Sequence, residues 1–553
     1  MLKINVSEKD VINALEAELE VASRKLKIPG EEPPYFVSYL LRQKDHFEVW
    51  ARFGALYGQK KNQGLICYAE VRVGDYELDQ TFDGGLNNFN AEESNFWADN
   101  HPLDGNRDVL RYSLRLLTED KYREALEGYY KKKSYLVGGG AYSRKIPNFY
   151  KDKPRVFSES IKKFNPNVND WADLIVPLSE KFRSYPFLRS SFVEFSGDHI
   201  RTYYFNTEGS KIITDQIFFR LELHALVLDE KNHLIKRQKT YHFLTEDKVP
   251  SLDTLHQGID SLALGLKKLQ KAPLMEPHHG PVLLGPEASG LFFHEVLGHR
   301  LEGERLLSQG EGQTLKKKMG KKIIPEFISV YDDPTVKEYE GVPLMGHYLY
   351  DCEGIPSQRV DLIKNGKLQG FLLSRTPINK ESRSNGHGRT EECFPPMARM
   401  ANLFVEGQGG VSNEELVEIL IKKVRELKKP FGLIIEEVSA GETDTSSYDF
   451  QVFKGEPERI YRVDAKTGKK SLVRGLEFIG TPLSAVNKIE AVGKEMGVFN
   501  SWCTAESGDV RVSCIAPSFL FSDMELQRSA QKIAPEPILQ TYWEENFQNK
   551  KRN

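Results

Sequence analysis

Apolar side chains at Val11, Ile12, Leu15, Leu19 and Leu26 recur at helical spacing, and Ser7 stands where an N-cap would open the helix. From Tyr35 the pattern turns to strands. Tyr35–Tyr39, His46–Trp50 and Cys67–Val73 read as an antiparallel meander with polar turns between them. A helix over about 108–133 and a loop at Gly138-Gly139-Gly140 follow, then a polar, proline-punctuated stretch over 147–169. Trp171, Leu174, Leu178 and Phe182 predict a helix over about 170–185, with Pro177 placed to kink it. Strands are expected at Leu188–Phe195, Arg201–Asn206, Ile212–Leu228 and Lys239–Phe243, and a helix over 251–269.

Pro273, Pro277 and Pro281, with Gly280, form the clearest break in the pattern and predict a boundary between domains at 1–272 and 273–553. His278-His279, between prolines, read as part of that linker. Val282-Leu283-Leu284 then has the signature of a buried strand. Val360–Leu373 predicts a hairpin, because Asn365-Gly366 supplies the positive φ of a type I′ turn. Ser412 and Glu415 form a capping box for a helix that ends before Pro430, and Leu433–Val438 reads as a strand. The expected fold class is α+β in two domains, with largely antiparallel sheet and packed helices.

Composition narrows the function classes. Length alone, at 553 residues, favours two or more domains. With 76 basic and 79 acidic residues the net charge is −3, so neither nucleic acid nor an anionic membrane is the expected partner. No signal-peptide apolar stretch opens the sequence and no apolar run approaches a membrane span, while five Cys in so long a chain do not make a disulfide framework. The expected location is the reducing cytoplasm, with thiols free to act as ligands.

The candidate chemistry lies in Phe292-Phe293-His294-Glu295-Val296-Leu297-Gly298-His299-Arg300-Leu301-Glu302. Two imidazoles and a carboxylate among apolar residues suit a catalytic zinc helix, where a Glu beside a ligand serves as general base toward a metal-activated water. The second His, however, stands at i+5 rather than the i+4 of HExxH. In a regular α-helix five residues rotate roughly 500°, which leaves the two rings about 140° apart. The spacing therefore demands a helix widened by one residue, a break at Gly298, or no metal site at all. A third ligand would come from Glu302, Glu304, a Cys or another His.

The segment Pro281–Gly290 followed by His294–Glu304 resembles the signature of the TldD/PmbA metallopeptidase family, whose catalytic members carry HExxxH. Asn385-Gly386-His387-Gly388-Arg389 with Pro396–Asn402, Val438–Asp444, and Arg474-Gly475 with Ile479-Gly480 resemble further blocks of that family. The resemblance covers about 275–530 well and the N-terminal half loosely, with an enlarged region at about 95–250. It implies His294, His299 and Cys503 as ligands of one zinc per chain, with Cys514 as the rival thiol, and Glu295 as general base. It also implies Arg389, Arg399 and Asn402 as substrate-binding residues; Glu302 and Glu304 are candidates to support a ligand from behind. Thr504-Ala505 and Asp509 depart from the family pattern beside the ligand Cys, which bears on substrate preference. The implied activity is zinc-dependent hydrolysis of short or unfolded peptides by a homodimer, or by a heterodimer with a related subunit. A non-catalytic subunit of such a pair, or a zinc hydrolase of another amide or ester, is the alternative.

Overall fold

The computed structural model describes residues 6–81, 107–137, 146–307, 314–391, 394–443, 445, 452–534, 539 and 542. The first half builds one six-stranded sheet. Helix α1 (Glu8–Lys25), with Ser7 accepting from the Asp10 amide, leads into strands β1 (Pro34–Arg52) and β2 (Ala55–Val73). Helix α2 (Arg107–Val137), β3 (Val156–Ser158), α3 (Val168–Glu180), β4 (Ser190–Asn206), β5 (Lys211–Leu228), β6 (Leu234–Phe243) and α4 (Leu252–Lys271) follow. The strand order is β2-β1-β4-β5-β3, with β6 also on β5. Only β3–β5 is parallel.

Two expectations fail here in the same way. Tyr35–Tyr39 and His46–Trp50 are one strand, and so are Leu188–Phe195 and Arg201–Asn206. The polar residues between them are not turns, because Arg42 to Asp45 pair with β2 on one edge and β4 on the other. Side chains alternate between the faces of a strand. Leu41, Phe47, Val49, Phe195, Phe219 and Leu221 point to the face covered by the four helices. Arg42, Lys44, His46, Asp198 and Arg220 point to the other face, toward the second half of the chain. Their polarity marks a seam between layers rather than solvent-exposed loops. The Arg42 guanidinium donates to the carbonyls of Thr390 (3.0 Å) and Glu391 (2.8 Å), and Arg511 donates to Asp198 Oδ2 (3.0 Å).

The second half begins with β7 (His278–Leu284), so His278 and His279 belong to a strand rather than to a linker. Helix α5 (Pro286–Phe293) carries the chain to the motif. Short strands β8 (Ile328–Asp332), β9 (Glu338–Tyr339) and β10 (Val342–Pro343) precede the hairpin of β11 (Val360–Lys364) and β12 (Lys367–Leu368). Asn365 (φ 49°) and Gly366 (φ 73°) both take positive φ, as its type I′ turn requires. A ribbon of β13 (Gly388–Arg389) and β14 (Met397–Ala398) is followed by β15 (Asn402–Gly407), the capped helix α6 (Asn413–Glu426), β16 (Phe431–Thr443) and β17 (Phe453–Asp464). Then come β18 (Lys470–Val473), β19 (Leu476–Gly480), β20 (Ile489–Ala505) and β21 (Gly508–Arg528).

Eleven of these strands make one sheet, and β21 changes neighbours along its length. Its first part pairs with β20 and β15, and its last part with β7 and β19. Because β7 also pairs with β16, and β17 with both β16 and β19, five strands close a circuit. Helix α5 packs against β7, β16, β17, β20 and β21. Phe292 meets Phe453 and Phe521 edge-on with centroids 5.2 and 4.8 Å apart, and Phe293 meets Phe519 at 5.0 Å. Each fully buried Phe contributes roughly 1.5–3 kcal/mol, so the helix is held by its apolar face rather than by its eight residues of propensity. Among the described residues, no helix is long and apolar enough to cross a membrane.

Candidate metal centre

Helix α5 does not continue as a regular helix. His294–Gly298 forms one wide π-turn, and His299–Leu301 tightens into a 3₁₀ turn. In i→i+5 geometry the fifth residue falls nearly above the first, which resolves the spacing problem posed by the sequence. The two imidazoles lie edge to face with centroids 5.1 Å apart. A Cβ at Gly298 would collide with Met400 Sδ, so any side chain there would force Met400 to move.

Cys503 arrives from strand β20, opposite Val510 of β21. Adjacent side chains on a strand face opposite ways, so Trp502 and Arg511 face the seam with the N-terminal sheet while Cys503 faces the imidazoles. One ligand atom each from His294, His299 and Cys503 can be chosen so that all lie within 4.8 Å of one another. Cys503 Sγ is 3.4 Å from His299 Nε2. Tetrahedral zinc with bonds of ~2.0–2.1 Å to nitrogen and ~2.3 Å to sulfur separates its ligand atoms by about 3.3–3.7 Å. The donor set and its spacing therefore fit zinc.

The electrostatics around the three are one connected network. Glu302, fully buried, accepts at 3.3 Å from His299 Nδ1 and at 2.8 Å from Arg305 Nε. Arg305 in turn grips Glu506 with two bonds of 2.8 Å. Arg399 donates to Cys503 Sγ at 3.1 Å. Burial alone would raise the Glu302 pKa, but Arg305 and His299 hold it down at about 2. Burial likewise opposes ionisation of Cys503, yet His299, Arg399 and His294 hold its thiol well below the usual range. Without a cation, burial disfavours charge on His299, but the sulfur and Glu302 push it up to about 10. A sulfur held as thiolate is the form a metal requires.

Glu295 is buried, and that burial raises its pKa above the usual carboxylate value, against the pull of both imidazoles. Among the described residues none donates a hydrogen bond to its carboxylate, which leaves it open to accept a proton. Gly441 on β16 walls it in, because a Cβ there would lie 2.9 Å from Glu295 Oε1 and 2.6 Å from Leu291 Cδ1.

The other sequence candidates fall in distinct places. Glu302 stands directly behind a ligand, whereas Glu304 accepts from the Ala398 amide (2.9 Å) and from Ser374 Oγ and braces a loop. Arg389, Arg399 and Asn402 are all buried. Arg389 donates to the carbonyls of Met400 and Arg511, and Asn402 Nδ2 to those of Asp333 and Val336. Arg399 and Asn402 are directed at the protein frame around the centre, while Arg389 also lines a cavity with Arg42, Tyr348 and Trp502. Cys514 lies beside Gly290, outside the ligand group, with its thiol pushed up by burial. Cys393 and Asp444 lie outside the described residues.

Sequence reasoning did not assign the Arg305–Glu506 pair, the Gly441 wall, or the fully buried His387–Asp332 pair (3.1 Å). Asp332 also accepts from the Ala401 and Asn402 amides and so fixes the strand after Arg399. Gly441 and His387 lie within motif blocks already recognised and Arg305 one residue past another, but their partners are far off in sequence and carry no local signal.

Residues 277–528 match the PmbA/TldA metallopeptidase C-terminal domain. The second half of the chain is thus a domain of the TldD/PmbA type. The chain's relatives include a metalloprotease of Methanocaldococcus jannaschii, 25% identical over 381 residues, covering 66% of this chain and 79% of that protein. A zinc metalloprotease TldD homolog of Saccharolobus solfataricus is 25% identical over 338 residues, covering 60% of this chain and 69% of that one. Among solved structures, TldE from Thermococcus kodakarensis superposes with a TM-score of 0.58 at 14% identity, over 93% of this chain and all of TldE. A Thermotoga maritima protein, proposed to modulate a DNA gyrase, gives 0.63 at 15% identity, over 93% of this chain and all of its own. These two likenesses are of fold alone, and they extend beyond the matched domain into the N-terminal half.

Proposed function

We propose that this protein is a zinc-dependent peptidase acting on short or unfolded peptides. One observation carries the reading: the i+5 histidines converge with a cysteine 204 residues after the second of them, beside a buried carboxylate to which no described residue donates. His294, His299 and Cys503 would hold one zinc. That ion would supply a Lewis acid for water and for the scissile carbonyl, and two neutral imidazoles with one thiolate leave it a net charge of about +1. Glu295 takes the proton of the attacking water and passes it to the leaving amine, a role suited to a carboxylate whose pKa burial has raised. Glu302 fixes the ring of His299 through Nδ1, leaving Nε2 for the metal. The relatives named as metalloproteases support the activity class. The active assembly in this reading is a dimer, with a second copy or with a related subunit.

The test is a peptide-library digest by purified protein before chelation, after chelation, and after zinc is restored. Loss and recovery of cleavage, with about one zinc per chain, is the expected result. A zinc-loaded protein, tested both alone and with a related subunit, that cleaves no peptide would remove the peptidase assignment.

Gly441 offers a second check that leaves the ligands untouched. Gly441→Ala drives a methyl group into Glu295 Oε1. A displacement of ~1 Å at a reacting group costs about a hundredfold, and the methyl is short of ordinary contact with Oε1 by about half that. The expected variant keeps its zinc and loses peptide hydrolysis by about tenfold; wild-type turnover in it would show that Glu295 needs no such confinement.

A further inference from the structure

Arg399 is the one guanidinium that reaches a ligand sulfur in the described residues. Its side chain is 0% exposed, so neither solvent nor a peptide in the site meets it. Nη2 donates to Cys503 Sγ (3.1 Å) and to the Cys503 carbonyl (2.5 Å). Nη1 donates to Ser507 Oγ (2.8 Å) and to the Gly508 carbonyl (3.0 Å). All four acceptors lie in the end of the β20–β21 hairpin that presents the sulfur. The remaining nitrogen, Nε, forms an ion pair with Glu302 Oε1 at 3.4 Å, and neither atom has a hydrogen-bond partner among the described residues. The other Glu302 oxygen bonds His299. Cys503, Arg399, Glu302 and His299 are thus linked in series, which joins two ligands from behind.

A structural brace would need only the carbonyls and the hydroxyl. A buried cation aimed at the sulfur does something further. Its hydrogen bond draws on the same lone-pair density that a thiolate shares with a metal, and charge-assisted bonds of this kind are about twice as strong as neutral ones. A thiolate polarised in this way donates less, and the metal it binds stays more electron-poor. Glu302 supplies the counter-charge that makes burial of the guanidinium tolerable. Arg305 does not duplicate the role, because its three nitrogens go to Glu302 and Glu506.

We propose that Arg399 is a positioning residue for the metal centre: it fixes Cys503 in place, weakens the sulfur as a donor so that the metal stays a stronger Lewis acid, and couples that ligand to His299 through Glu302. This role presupposes the zinc site proposed above. It places Arg399 behind the metal rather than in the substrate cleft.

Cobalt(II) loaded in place of zinc reads the sulfur directly through its thiolate-to-metal charge-transfer band. Arg399→Met keeps much of the bulk and removes every donor. The expected outcome is a band moved to longer wavelength and a cobalt affinity, measured by chelator competition, lower by about 10–100-fold because loss of the fixed sulfur position outweighs its stronger donation. Arg399→Lys restores one charged donor and should recover part of both. A folded Arg399→Met protein with an unmoved band overturns the proposal, whatever its affinity. Should Arg399→Met fail to fold, Arg399→Lys carries the test, with a smaller shift in the same direction expected and an unmoved band again overturning it. A wild-type protein with no thiolate band would instead refute the zinc-site reading beneath it, so the two failures are distinguishable.

Discussion

Glu295→Gln is expected to keep one zinc per chain and to lose peptide hydrolysis by about 10²–10⁴-fold, the contribution usual for a positioned general base. The substitution preserves side-chain volume in a site where Leu291 and Gly441 leave little room. It removes only the capacity to accept a proton. No neighbouring group can substitute easily. Glu302 is held at about pKa 2 by Arg305 and His299, too weak a base for the task, and Glu304 is bound by Ser374 and the Ala398 amide. Parallel assays of zinc content and of turnover on one peptide decide the matter. Retained turnover in a zinc-loaded Glu295→Gln protein would assign the base elsewhere.

Removing a ligand has a different signature. Cys503→Ala and His299→Ala should each lower zinc affinity by about a hundredfold or more, as expected when zinc binding of ~10–16 kcal/mol shared by three protein ligands loses one of them. Activity should vanish with the metal at limiting zinc. Cys503→Ala also leaves Arg399 buried without its sulfur acceptor, so a loss of stability should accompany it. The pH dependence follows from His299. Its imidazole, raised to about 10 without a cation, must lose a proton to ligate, while the depressed Cys503 thiol has already lost its own. Below about pH 10 each zinc therefore displaces a proton from His299, and apparent affinity should rise at least ~tenfold per pH unit, more steeply where His294, its pKa depressed by burial but raised on balance by the sulfur, is still charged. Chelator competition at two pH values measures the slope. A flat profile would show that His299 is neutral before the metal arrives.

How much of this was legible in the chain depends on the range of the interaction. The i+5 spacing of His294 and His299 was enough to demand a widened turn, because the rotation per residue of a regular helix forbids convergence; the wide turn at His294–Gly298 is that demand met. Caps and turns were readable for the same local reason. Ser7, the Ser412–Glu415 box and Asn365-Gly366 each act within a few residues. Strand limits were not readable at Arg42–Asp45 and Ser196–Ile200. There polarity was read as solvent exposure, although those side chains face a charged seam against the second half of the chain. The circuit closed by β21, which sets the site's walls, depends on β7 pairing with β16 at a separation of 151 positions and with β21 at 235–248. Glu302 was foreseeable as support for a ligand three residues away, whereas Arg399 reaching Cys503 was not, being separated from it by 104 residues.

The central claim is that one sulfur and two imidazoles hold a single metal. X-ray absorption at the zinc edge of the loaded protein tests it most directly. One sulfur near 2.3 Å with nitrogen or oxygen neighbours at ~2.0–2.1 Å, including an imidazole scattering pattern, is the expected first shell, and the sulfur should disappear in Cys503→Ala. A zinc shell without sulfur in the native protein, or one unchanged in Cys503→Ala, would contradict it.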